Sequence, residues 1–326
     1  MANILLNDGD DGDVFVYTGG DQQVPRDVRR VRIAENIDTI PARTFEECRQ
    51  LIEVEGHNQL TKIEQWAFFC CRRLRWLTKM GGVKEIEGCA FNGCNALSDL
   101  EFDRLEIIGG GAFIHCTSLR SINLPSVRRV RRDTFFQCAA LTEAVFGEDL
   151  GRIDALAFWI CPSLRRIAIP LKDNLIIEDR AFYESENLSR VDIIGGIHKT
   201  ISSFHMEIWR DEMTEEIDRI NQTLPDTRSV EKALTMREWI RYVTAGMEYY
   251  KAEHQELLKE AMTLLELALW DANLQQQEER LWLKWVDNKQ PAKKAKIDID
   301  GVRHEARITS GASIVIKNVL PFLKLE

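Results

Sequence analysis

Hydrophobic positions recur along this chain with one long period. Phenylalanine stands at Phe45, Phe68, Phe91, Phe113, Phe135, Phe158 and Phe182, at gaps of 23, 23, 22, 22, 23 and 24 residues. Five places before each comes an aliphatic residue: Ile40, Ile63, Ile86, Ile108, Val130, Ile153 and Ile177. Three places after comes Cys48, Cys71, Cys94, Cys116, Cys138, Cys161 and finally Ser185; six after comes a leucine, from Leu51 to Leu188. A fixed period of this length marks a repeat architecture in which no single unit can bury its own apolar face. The L-x-x-I-x-I end of each unit is short, aliphatic and β-branched, and predicts a strand of a parallel sheet. The A-F-x-x-C-x-x-L part spaces its apolar residues by three and predicts one helical or 3-10 turn. Seven units stacked about 4.8 Å apart bury the Phe row and the Leu/Ile row together. Val28, Val31 and Ile33 carry the strand pattern without a preceding A-F-x-x-C, and Val14 to Tyr17 is another apolar segment, so a cap is expected ahead of the first repeat. Ser185 in the Cys phase and Ala144 in an aliphatic phase predict looser packing in repeats seven and five.

The period stops at Gly195-Gly196, a helix-breaking pair that marks a boundary. Beyond it, Met206, Trp209, Met213, Ile217, Ile220 and Leu224 are spaced by three and four, which predicts an amphipathic helix over 203–224 ended by Pro225. Thr235-x-x-Glu238 has the form of a capping box and predicts the start of a second helix, whose seam runs from Ile240 through His254 to Ala268. Unbroken to Val286, it would be about 75 Å long. It must then project past the repeats, bend near Gly246, or break. Leu258, Leu265, Leu269, Trp270, Trp282 and Trp285 need a covering surface, for which the apolar segment Ile308 to Leu325, a second copy of the chain and a different protein are the candidates. Packing within the chain is favoured, with a homodimer assembled as a coiled coil close behind.

The resulting organisation is α+β. An acidic tail and cap fill 1–27, the repeat solenoid 28–196, a hairpin-like helical region 197–287, a basic linker 288–300 and an apolar segment 301–326.

The template I-x-x-x-[A/T]-F-x-x-C-x-x-L-x-x-[I/V/L] over residues 28–194 resembles the BspA-type leucine-rich repeat, and the whole chain, helical tail included, is similar to a set of diatom leucine-rich repeat proteins. The resemblance implies a curved solenoid used for protein–protein recognition and brings no catalytic residues with it.

Composition narrows the chemistry. The chain has 43 Lys+Arg against 52 Asp+Glu, a formal charge of −9, and a pI near 5.4, which argues against general affinity for nucleic acid. Asp8, Asp10, Asp11, Asp13 and Asp21 fall in a stretch of 25 residues that holds no Lys or Arg. No run approaches the roughly 20 apolar residues that span a bilayer, and the N-terminus has neither basic nor apolar leader regions, so membrane and secreted readings are disfavoured. Six of the eight cysteines share one repeat phase, as reduced core thiols would. That points to an intracellular protein, cytoplasmic or nuclear. No Cys pair has a second CxxC or a His at zinc spacing, so neither metal nor another cofactor is expected. Nucleotide-loop, zinc-protease and serine-hydrolase motifs are missing, and Gly109-Gly110-Gly111 sits at a repeat turn; no enzyme is expected.

The x positions of L-x-x-I-x-I face outward and define the candidate protein-binding face. Its members are Trp76, Arg75, Asp99, Glu101, Arg120, Glu143, Arg165 and Arg166, with Ala168 also outward in repeat six. Acidic and basic repeats alternate, consistent with a self-neutralising ladder or with a mixed-charge recognition face anchored on Trp76. Arg128, Arg129, Arg131 and Arg132 form a candidate basic patch around Val130, expected at the start of a turn rather than on a strand. Lys293, Lys294 and Lys296 follow Pro291 in the manner of a short nuclear import signal. The leading expectation is a non-catalytic scaffold for a protein partner. A nuclear adaptor contacting nucleic acid or chromatin through the basic segments, and a homodimeric structural protein, stand as alternatives.

Overall fold

The structure is a computed structural model that describes residues 14–20, 22–202, 204 and 206–287, without the side chains of 101, 197–199 and 285–287. Asp8 to Asp13, Asp21, the lysines of the linker, the side chain of Trp285 and the segment from Ile308 to Leu325 lie outside the described residues.

Each repeat contributes two strands. The longer ones are β1 (Val14–Tyr17), β2 (Arg30–Ile33), β4 (Glu53–Glu55), β6 (Trp76–Thr78), β8 (Asp99–Glu101), β10 (Ser121–Leu124), β12 (Glu143–Phe146), β14 (Arg166–Ile169) and β16 (Arg190–Ile193). Two-residue strands alternate with them: β3 (Thr39–Ile40), β5 (Lys62–Ile63), β7 (Glu85–Ile86), β9 (Ile107–Ile108), β11 (Arg129–Val130), β13 (Arg152–Ile153) and β15 (Ile176–Ile177). The short strands form one continuous seven-stranded sheet. The long ones form two sheets, β1-β2-β4-β6 and β8-β10-β12-β14-β16. All pairings are parallel, and from β2 onward they join residues one repeat apart, so side chains of one phase lie in rows.

The Phe row is the axis of the core. Phe45, Phe68, Phe91, Phe113, Phe135, Phe158 and Phe182 are fully buried and stack ring on ring at 5.0–5.6 Å, with Tyr17 closing the row edge-on against Phe45. Repeat five compensates for its small Ala144: Phe146 is buried two residues on, edge-on to Phe158 at 6.3 Å. Repeat seven is closed as well. Ser185 is fully buried, and its hydroxyl donates to the Phe158 carbonyl at 2.7 Å. Both residues that depart from the template, Ala144 and Ser185, are thus fully buried, while the Phe stack is at its widest and most tilted between Phe158 and Phe182, at 5.6 Å and 17°.

The A-F-x-x-C segment is a run of turns with no helix in it. Residues two before and two after each Phe have left-handed backbones, among them Trp66, Cys70, Leu156 and Ile160, with Gly111 and Gly93 in the same phases. Alternating hand turns every second amide toward the next repeat. Thus Leu156, Phe158 and Ile160 donate to the carbonyls of Arg180, Ala181 and Tyr183 at 2.9–3.2 Å. A helix would have spent those amides within its own segment.

The chain divides into two compact units. One comprises the repeats to Thr200 together with Thr214–Ala245; the other comprises Ile201–Met213 and the chain from Gly246 onward. Three helices follow the solenoid: α1 (Gly196–Ile201), α2 (Glu207–Thr223) and α3 (Ser229–Asp287), with a 3-10 turn over Leu224–Asp226. α3 is a single helix of 59 residues, about 88 Å long. It starts six residues ahead of the Thr235 capping box because Glu186, from the last repeat, accepts from the Ser229 hydroxyl at 2.6 Å and from its amide at 3.3 Å.

Within the first unit these helical residues close the open end of the solenoid. The Asn221 amide stands in for the missing next strand, accepting from Val191 N–H at 2.7 Å and donating to its carbonyl at 3.1 Å. Fully buried Lys232 donates to the carbonyls of Leu188 and Leu224, each at 2.7 Å. Burial holds its amine below the usual lysine range, opposed by the charge of Glu186. Arg237 reaches the other sheet, donating to Ile177 O at 3.1 Å. At the opposite end Gln22 donates to Val16 O of β1 at 3.1 Å. Both terminal strands thus have side-chain partners on their outer edges.

The second unit holds an aromatic cluster of Phe204, Trp209, Tyr249, Tyr250 and His254. The Tyr250 hydroxyl, pushed up to about 12, mainly through its hydrogen bond to Glu212, faces that carboxylate. Ala261 is buried with Leu265 and Ala268 against it, whereas Leu269, Trp270 and Trp282 are exposed.

Candidate functional site

The outward rows of the long strands carry most of the candidate residues, and much of their charge is internally matched. Glu143, Arg166, Asp192 and Arg190 form one chain of ion pairs across β12, β14 and β16. Burial works against the ionisation of Asp192, but hydrogen bonds from Arg190 and Arg166 prevail and hold its carboxyl below the usual range. In the other sheet Glu55 accepts from Lys79 and Arg32, each at 2.7 Å, and the two cations lower it in that order. Ala168, expected outward, is buried at a position in register with Val145 and Asp192. Asp99 accepts from the Ser98 hydroxyl at 2.8 Å, Arg120 and Arg165 are exposed, and only the backbone of Glu101 is described.

The basic patch is corrected in both position and charge. Arg129 lies on strand β11, and its guanidinium grips buried Asp154 with three hydrogen bonds of 2.7–3.1 Å, while Arg152 holds the same carboxylate at 2.8 Å. Arg128 pairs with Glu106 at 3.1 Å and Arg132 with Asp133 at 3.3 Å. Three of the four cations are therefore committed to the solenoid itself.

One place differs. Arg75 and Trp76 meet Arg29, Arg30, Ile52, Arg73 and Ala96 around an open basin of about 510 Å³. Trp76 is half exposed, and the Arg75 guanidinium lies 6.0 Å from its ring centroid. Arg30 reaches Glu53 at 3.8 Å and Arg73 donates to Gln50 at 2.7 Å. Among the described residues Arg29, Arg73 and Arg75 form no ion pair, and no carboxylate lines the basin. Arg29, Arg30 and Arg73 were absent from the expected face. They were readable by the period: Arg29, Ile52 and Arg75 stand 23 apart, as do Arg30, Glu53 and Trp76, once the phase is carried back into the cap.

The cysteine column is a structural device. Cys71, Cys94, Cys116, Cys138 and Cys161 are buried, and each thiol donates to the Phe carbonyl of the preceding repeat at 3.0–3.3 Å. Burial pushes all five thiols up, Cys161 to about 12. Thiolate is the reactive form. Ellman's reagent on the native protein should therefore titrate two thiols quickly, Cys70 and Cys89, the two that are not fully buried, and the other six only on unfolding. More than two fast thiols would refute the buried column. Among the described residues no group of three His, Cys, Asp or Glu could hold a metal ion, and no helix is long and apolar enough to cross a membrane.

The model of the BspA type leucine rich repeat region matches residues 26–138 and 102–207, in six copies. Among solved structures, a leucine rich cell surface protein from Faecalibacterium prausnitzii shares 29% identity over 48% of this chain and 43% of its own, with a TM-score of 0.45. The T. pallidum leucine rich repeat protein shares 22% over 55% of this chain and 85% of its own, with a TM-score of 0.44. The chain thus spans less than half the length of the first of these. No curated protein matches it significantly.

Proposed function

The chain belongs to the BspA-type leucine-rich repeat family, and from that premise we propose that it is a non-catalytic scaffold whose reading site is the basin around Trp76. The occupant is an acidic polypeptide segment with an aliphatic or aromatic anchor. The observation that carries this reading is the contrast between β14 and β16, where Arg166 and Arg190 are both paired with carboxylates, and the basin, where Arg29, Arg73 and Arg75 surround a half-exposed Trp and form no ion pair among the described residues. Arginine forks match carboxylates in bidentate fashion, and Trp and Arg carry most of the energy at protein interfaces. An unpaired thiol column supports action in a reducing compartment.

The test is fluorescence anisotropy with labelled 12-residue peptides that alternate Asp-Glu pairs with Leu, their neutral amide counterparts, and a poly-uridine oligonucleotide. The acidic peptide should bind with salt-sensitive affinity, and Arg75→Glu or Trp76→Ala should weaken it about tenfold or more while shifting stability by less than about 1 kcal/mol. Equal binding by the neutral peptide, or preference for the oligonucleotide, overturns the reading.

A further inference from the structure

The strand that borders the basin's strands on one side is β1, and the residues just ahead of it are acidic. Val14, Arg30, Glu53 and Trp76 are in register across β1, β2, β4 and β6, so they form one row. Arg29, Arg73 and Arg75, which line the basin, all lie on the N-terminal side of that row. The strands are parallel, so β1 begins on that same side, with its first residue, Val14, in register with Arg30. From β1 to β6 is three strand spacings, about 14 Å, whereas 13 extended residues reach about 40 Å. Those residues contain Asp8, Asp10, Asp11 and Asp13, no Lys or Arg, and the apolar pair Leu5-Leu6. Four carboxylates interspersed with two glycines, with a two-leucine anchor ahead of them, match a basin of four arginines around Trp76 and Ile52.

We infer that residues 5–13 are a tethered ligand of the basin: the aspartates pair with Arg29, Arg73 and Arg75, the leucines lie against Trp76, and an external acidic partner must displace them. The inference rests on the basin being an acidic-peptide site. Tethering raises the local concentration of a ligand to the millimolar range, so even a weak segment occupies its site most of the time. Competition of this kind sets a threshold affinity for the external partner, because apparent affinity falls with the fraction of molecules whose basin is open.

Two full-length proteins separate the outcomes: wild type, and a variant carrying Asp8→Asn, Asp10→Asn, Asp11→Asn and Asp13→Asn. The probe is a labelled peptide with the sequence of residues 1–13, titrated at low and high salt. The variant should bind it about tenfold or more tightly than wild type, and adding Arg75→Glu to the variant should remove the difference. Equal, measurable binding by wild type and variant overturns the tethered ligand and leaves the basin reading intact. Loss of binding to both, for this probe and for the designed acidic peptides alike, overturns both readings. Matching melting curves for the proteins show that only the surface has changed.

Discussion

Replacing Phe113 by Ala lowers stability by about 3–5 kcal/mol, the range for removing a fully buried aromatic ring and leaving its cavity. Phe113 lies between Phe91 and Phe135, with ring centroids 5.4 and 5.5 Å away and planes within 5°. The neighbours cannot close the gap, because each is held by its own backbone: Phe91 N–H donates to Ala112 O and Phe135 N–H to Ala157 O, both at 2.9 Å. Cavity cost is greatest where the surroundings relax least. In a stacked repeat array stability is a sum of units and the interfaces between them, and Phe113 belongs to two such interfaces. Its loss should lower the melting temperature by roughly 6–20 °C. Calorimetry or urea titration checks this, and a curve superimposable on wild type would sink the ring stack as the organising core.

Gly109→Ala is the second large effect, expected at about 3 kcal/mol or more, at the upper end of the cost of overpacking. A Cβ at Gly109 would lie 2.2 Å from Gly88 N and 2.4 Å from Glu87 C. Both are backbone atoms of the preceding repeat, so relief requires the two repeats to move apart. The amide of Gly109 also donates to Ile86 O at 2.7 Å, and that bond stretches with any such movement. Gly110→Ala is the internal control. Its Cβ would meet only Arg132 O, at 3.3 Å, and the residue is exposed, so the change should stay within about 1 kcal/mol. If the two variants melt together, the close approach at Gly109 does not limit stability.

These glycines show how unevenly the chain reveals itself. The run Gly109-Gly110-Gly111 could be placed at a repeat turn by its phase alone. That Gly109 is needed for contact with the neighbouring repeat, Gly111 for a left-handed backbone and Gly110 for neither depends on where the adjacent repeat lies. The return segment is similar. Apolar spacing by three fits a helical turn and a run of β-turns equally well, and only the destination of the amides distinguishes them. The start of α3 escaped the local capping rule because its cap, Glu186, is 43 residues upstream.

The proposed binding site was half legible. Arg75 and Trp76 followed from strand alternation, and the Glu143–Arg166 neighbours from the period, since register one repeat apart brings opposite charges together. What separated the two groups was pairing geometry: Arg166 meets two carboxylates, while Arg75 faces a tryptophan. Arg129 offers the same lesson in reverse, as a residue in a basic run that proves to be held by the buried carboxylate of Asp154.

The sequence by itself determined the repeat number, the phase of the recurring Phe, Leu and aliphatic core side chains and the reduced cysteine column, because in a stacked array each core position recurs and its apolar character is written once per period. The tertiary structure alone decided the hand of the turns, the closure of the open end by Asn221, Lys232 and Arg237, and which arginines are left unmatched. Those outcomes depend on hydrogen bonds and ion pairs between residues 22 or more apart, whose partners exist only once neighbouring repeats are stacked.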